Sequence, residues 1–216
     1  MRALALIIVA FGVSLAATGQ TAPTAADVAK QIQTHYNGVR DFVADFTQSY
    51  KSSIQRQTTQ DRGRVRIKKP GRMSWDYKVQ KVQVVADGSQ LYTYLPDDRK
   101  LYVAALPKTN EASSAMMFLA GRGDLLRDFT PSLGASQPAA SWRLDLLPKT
   151  PQPDFKTLTL IVNRATMVLE GLVTTDDADG VTTYGFTNLK ENAGLADGEF
   201  VFNTSKIPKD VEVIRK

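Results

Sequence analysis

The chain has 216 residues, 27 Lys and Arg against 22 Asp and Glu, one histidine and no cysteine. It therefore holds no disulfide and no thiolate metal site. The single His35 rules out a histidine metal cluster and a Ser-His-Asp triad. The length is enough for one domain with its own core, without disulfide support.

The N-terminus reads MRALALIIVAFGVSLAATGQ: Arg2, an unbroken apolar run over residues 3–13, then small residues. That run is shorter than the roughly 20 residues a membrane-crossing helix needs, and the layout is that of a secretory signal peptide. The expectation is a leader over residues 1–20, with cleavage between Ala16 and Ala22, and a single domain over residues 21–216. An uncleaved anchor is the alternative. Without cysteine, the exported chain carries no thioether-linked lipid on its own N-terminus.

Thr24 and Asp27 form a capping-box pattern, with Asp at the usual Glu or Gln position, and Val28, Ile32, Tyr36 and Val39 recur at helical spacing. Asn37-Gly38 marks the exit. Strands follow over residues 42–50, 62–69 and 72–78, the last two joined by a Pro70-Gly71 turn. Residues 82–85 and 91–95 make a hairpin about Asp87-Gly88, and residues 100–105 add a further strand. The segment 111–121 is rich in helix formers, and a shorter helix is expected over 123–129. Strands resume over 142–147, 157–163, 167–174, 181–189 and 199–202. So many short strands joined by turns indicate a meander that curves on itself. The turn containing Asp176, Asp177 and Asp179 lacks the twelve-residue calcium loop and its closing Glu, so it reads as a surface turn.

Alternation divides the strands into two faces. In IKKPGRMSWDY, residues 67–77, Met73, Trp75 and Tyr77 point one way and Ser74 and Asp76 the other. On the preceding strand Val65 and Ile67 oppose a basic row of Arg62, Arg64, Arg66 and Lys68. Such a row is either a solvated face or an electrostatic docking surface, with Arg64 and Arg66 its candidate contacts. Met116, Met117 and Leu119 belong to an almost wholly apolar helix placed to cover the sheet. The apolar face is either an ordinary core or the wall of a site for a greasy ligand, and methionine suits a surface that repacks around flexible chains. From composition alone an ordinary core is favoured.

The order and spacing of several short segments resemble those of the outer-membrane lipoprotein carrier family, LolA. They are DFTQ at residues 45–48, IKKPGRMSWDY, DG with LYTY at 87–88 and 91–94, TTYGFTN at 182–188, FVF at 200–202 and IPKDV at 207–211. The resemblance implies an incomplete, unclosed antiparallel β-barrel, mainly β with an α lid, whose helices cover a hydrophobic cavity. It implies a periplasmic, non-enzymatic carrier without cofactor or metal, a monomer with no nucleic-acid partner. Such a carrier takes lipoproteins from an inner-membrane ABC transporter and passes them to an outer-membrane acceptor. By the same resemblance Met73, Trp75 and Tyr77 line the acyl-chain cavity, with Val65, Ile67, Met116, Met117 and Leu119 beside them. Two positions depart from the family. Lys69 stands where the family has an Arg that helps close the lid, and a lysine lacks the guanidinium fork, so a looser lid is expected. Met73 stands where Phe is common. A carrier of another lipid or glycolipid, or a lipid sensor of the same fold, fits the same pattern.

Overall fold

A computed structural model describes residues 22–106 and 118–215. The leader, Met116 and Met117 lie outside the described residues. Helix α1, Ala25–Gly38, starts where the capping box places it: Thr24 Oγ1 accepts from Asp27 N at 3.2 Å, and Asp27 Oδ2 accepts from Thr24 N at 3.0 Å. Its apolar stripe of Val28, Ala29 and Ile32 is buried.

Twelve strands form one sheet in the order β12-β6-β5-β4-β3-β2-β1-β11-β10-β9-β8-β7. In chain order they are β1 Asp41–Lys51, β2 Thr58–Lys68, β3 Arg72–Tyr77, β4 Gln83–Asp87, β5 Gln90–Leu95, β6 Lys100–Ala105, β7 Phe129–Leu133, β8 Ser141–Pro148, β9 Thr157–Asn163, β10 Leu169–Thr175, β11 Val181–Glu191 and β12 Glu212–Arg215. Two meanders, β1 to β6 and β7 to β11, join where β1 pairs with β11, and the outermost strands β12 and β7 stay apart in the order. The result is an unclosed antiparallel sheet of barrel type, as the resemblance implied; among the described residues only β12 on β6 runs parallel.

Gly63 lies opposite Phe46 on β1 and Tyr77 on β3. A Cβ there would lie 1.9 Å from the Asp76 carbonyl oxygen and 2.9 Å from the Phe46 ring, so only glycine allows this approach. One face of the sheet carries Phe42, Ala44, Phe46, Val65, Ile67, Met73 and Trp75, in one apolar core with Val28, Ala29 and Ile32 of α1 and with Phe118, Leu119 and Leu125; α1 itself packs against the β7–β8 end of the sheet.

Two expectations need correction, and two edge strands were not anticipated. Residues 199–202 are not a strand: Asp197–Phe200 is a 3-10 turn, because Glu199 Oε1 accepts from Ala196 N at 3.0 Å and the curl delivers Phe200, 0 % exposed, onto the sheet's outer side. The edge strands β7 and β12 escape the sequence pattern. One contains Pro131, tolerated only at an edge, and the other keeps Val213 exposed. The short helix α2 spans only Leu125–Asp128, capped by Asp124, whose carboxylate accepts from Leu126 N and Arg127 N. Of the helix expected over 111–121, only Phe118 and Leu119 are helical within the described residues.

Candidate lipid-binding interior and its lid

Strands β2 and β3 pair Val65 with Trp75 and Ile67 with Met73, bringing four of the expected wall residues side by side. All four are at most 1 % exposed. The inner row continues onto β1 and β11. Phe46 meets Trp75 edge-on at 5.0 Å and Tyr77 at 4.9 Å, and Tyr184 meets Trp75 at 5.5 Å. These edge-to-face contacts are the preferred aromatic geometry and stiffen the wall. Phe46, Tyr184 and Phe186 went unrecognised from sequence, although the period-2 alternation of Tyr184 and Phe186 on β11 carried the signal.

The wall residues belong to one buried apolar cluster with side chains of α1 and the 118–125 segment. Hollows of about 620 Å³ and 440 Å³ lie elsewhere. The larger is lined by Thr47, Ser49, Arg62 and Thr183 on the outer side of the sheet, and neither is lined by Val65, Ile67, Met73 or Trp75. Ile32 and Leu119 are buried in the same apolar cluster as these wall residues.

Polar groups are few inside this wall. The Tyr77 and Tyr184 hydroxyls face each other at 3.5 Å, and burial raises the pKa of both phenols. The Trp75 indole N–H is buried without an acceptor. Among the described residues no group of three or more His, Cys, Asp or Glu could hold a metal ion. His35 bonds Glu191 through Nε2 at 2.9 Å, and Asp176 uses one carboxylate oxygen on the backbone N–H groups of Ala178 and Gly180.

Besides the His35–Glu191 bond to β11, α1 is held at a junction centred on Lys69. Lys69, in the turn between β2 and β3, donates from Nζ to the Tyr36 carbonyl of α1, and its ammonium sits 4.0 Å above the Tyr36 ring. Burial pushes the Lys69 pKa down to about 8, and the nearby Glu191 charge opposes that fall. Tyr36 passes the connection on: its hydroxyl donates to the Leu119 carbonyl and its ring stacks on Phe118 at 5.8 Å. Two further bonds close the junction, Gly71 N to Ala120 O at 2.8 Å and Leu125 N to Gln33 Oε1 at 2.9 Å. Lys69 is therefore located where α1, the β2–β3 turn and the 118–125 segment meet.

The basic row divides in two. Arg66 is engaged with Asp76 at 2.8 Å and Glu199 at 3.5 Å, and Lys68 with Asp197 at 2.6 Å. Ser74 beside them is buried, while Arg66 and Lys68 stay half-buried and engaged with carboxylates of the C-terminal segment. Arg62 and Arg64 remain exposed.

Comparison with known proteins agrees with this arrangement. The family model described as "Outer membrane lipoprotein carrier protein LolA" matches residues 37–203. An outer-membrane lipoprotein carrier protein of Legionella pneumophila (strain Lens) is 28% identical over 190 residues, covering 87% of this chain and 90% of the relative. One from Cupriavidus necator is 28% identical over 216 residues, covering 97% and 98%. An uncharacterized conserved protein from Thermus thermophilus shares the fold with a TM-score of 0.51 at 16% identity, over 87% of this chain and 99% of that one. With a curved, unclosed sheet, an apolar interior under a helix, and the family pattern running through both, the chain belongs to the LolA family of outer-membrane lipoprotein carriers.

Proposed function

We propose that the mature chain, from about residue 21 onward, is a single-domain periplasmic carrier. It takes the acyl chains of lipoproteins leaving the inner membrane and delivers them to the outer membrane, changing no covalent bond. The observation that carries this reading is the largely apolar inner wall that shares one core with α1, a helix tied down by a few polar bonds, at Lys69–Tyr36 and at His35–Glu191. Acyl chains displace side chains of this shared core, and α1 is the element that gives way.

Burial of an acyl chain gains about 0.8 kcal/mol per methylene, so unopposed enclosure of several chains would be practically irreversible. The contacts of the closed lid, lost on loading, offset part of that gain. Release into water remains negligible, so transfer is a hand-off between apolar surfaces. An inner-membrane ABC transporter would load the carrier and an outer-membrane acceptor would empty it. Among the basic residues Arg64 is exposed and suits docking, whereas Arg66 is engaged with Asp76 and Glu199. No helix among the described residues is long and apolar enough to cross a membrane.

The test uses spheroplasts that retain newly made lipoproteins, incubated with the purified mature protein. Lipoprotein should appear in the soluble fraction with wild type. It should not with Met73→Glu, which sets a charge in the wall, provided circular dichroism shows that variant folded. No release by wild type while the transporter is active would contradict the reading.

A further inference from the structure

The inner wall contains one polar atom with no partner. Trp75 is 1 % exposed, and its Nε1 has no hydrogen-bond acceptor. Buried N–H groups in folded proteins are almost always satisfied, and each exception calls for an explanation. Alternation on β3 places Trp75 on the inner side with Met73, and its ring neighbours are Phe46, Tyr184 and Phe186. Aromatic faces are weak acceptors. The other polar groups of this wall are the hydroxyls of Tyr77 and Tyr184, which lie opposite each other.

A wall meant only for hydrocarbon would be better served by phenylalanine here, since an unsatisfied donor gains nothing from methylenes. A carbonyl oxygen at the head of an acyl chain is the acceptor the site lacks. Resting on the carrier reading, we infer that the Trp75 indole N–H recognises the carbonyl of a fatty acyl ester or amide. The interior thereby selects acyl-linked lipid over alkyl ether lipid of equal chain length. Tyr77 and Tyr184 supply further hydroxyls for a second acyl carbonyl or a glycerol oxygen. The wall then fixes how deep the chains sit, because the carbonyl marks where the hydrocarbon begins.

The experiment presents an equimolar mixture of dipalmitoylglycerol and its dihexadecyl ether from cyclodextrin, and measures bound lipid by mass spectrometry after gel filtration. Wild type should favour the ester by about fivefold or more, the worth of one ordinary hydrogen bond. Trp75→Phe should bring the ratio close to one. Should that variant fail to fold, the wild-type protein still answers through its indole ¹⁵N–¹H resonances, assigned with Trp142→Phe. The Trp75 signal should move downfield with the ester and stay in place with the ether. A wild-type ratio near one, a preference that survives in Trp75→Phe, or an equal indole shift with both lipids overturns the inference alone. If wild type takes up neither lipid, the inference falls together with the carrier reading.

Discussion

Gly121 offers a direct way to probe the lid junction, because it combines a backbone constraint with a side-chain one. Its φ is +80°, and a Cβ there would lie 2.2 Å from Lys69 Cδ and 2.5 Å from Cγ. Lys69 cannot swing aside without leaving the Tyr36 carbonyl and its seat above the ring. Gly121→Ala therefore costs about 1 kcal/mol for an L residue at positive φ. It costs about 1–2 kcal/mol more for the displaced ammonium, discounted because the freed Lys69 regains water. With Lys69→Ala already in place the second cost vanishes and only about 1 kcal/mol remains. A double-mutant cycle by urea denaturation should therefore give a coupling of about 1–2 kcal/mol between positions 69 and 121. Amide exchange should quicken at Leu125 and Gly71, whose N–H groups bond across the same junction. Equal costs of Gly121→Ala in both backgrounds, or unchanged exchange at those amides, would refute the claim that Lys69 holds the lid.

Three further outcomes follow from the same geometry. Lys69→Arg gives the junction a planar fork able to hold more than the one carbonyl now bound, so Leu125 amide exchange and lipoprotein transfer should both slow; if both stay unchanged, the exchange of Arg for Lys does not loosen the lid. Burial lowers the Lys69 pKa from 10.5 to about 8, so the folded state holds fewer protons than the unfolded one in that window, and the stability linked to this group is full above 10.5 and lost as pH falls through about 8. The stability difference between wild type and Lys69→Met, measured by urea titration at pH 7.5 and 9.5, should thus move in favour of wild type as pH rises; a flat or opposite trend contradicts the burial of that ammonium. Phe200→Ala should cost about 3–5 kcal/mol and expose the segment after Leu195 to limited proteolysis, since Phe200 is fully buried beneath the sheet's outer side; a loss below about 1 kcal/mol would mean the C-terminal clasp contributes little.

Much of the fold was legible because its signals were local. The Thr24–Asp27 box, the Pro70-Gly71 and Asp87-Gly88 turns and the alternation through Met73, Trp75 and Tyr77 each depend on neighbours a few residues away. What escaped depends on contacts made far along the chain. Strand β12 is a strand because it lies beside β6, and the curl at Asp197–Phe200 exists because Phe200 has an outer face to bury against. The outer face misled for the same reason. Arg66 and Lys68 alternate as solvated residues would, yet Glu199 and Asp197 come back across the sheet to meet them. In the interior the wall on β2 and β3 was readable, whereas Phe46, Tyr36 and Tyr184 gain their roles only once β1 pairs with β11 and α1 folds over the sheet.

The most direct measurement is photo-crosslinking from inside and outside the sheet. A benzophenone amino acid replaces Met73 in one version and exposed Arg64 in another, each is loaded with lipoprotein released from spheroplasts, and the products are mapped by mass spectrometry. The account predicts crosslinks from position 73 to the cargo's acyl chains and none to acyl chains from position 64. Acyl crosslinks from position 64 with none from position 73 would place the cargo outside the sheet and contradict the account.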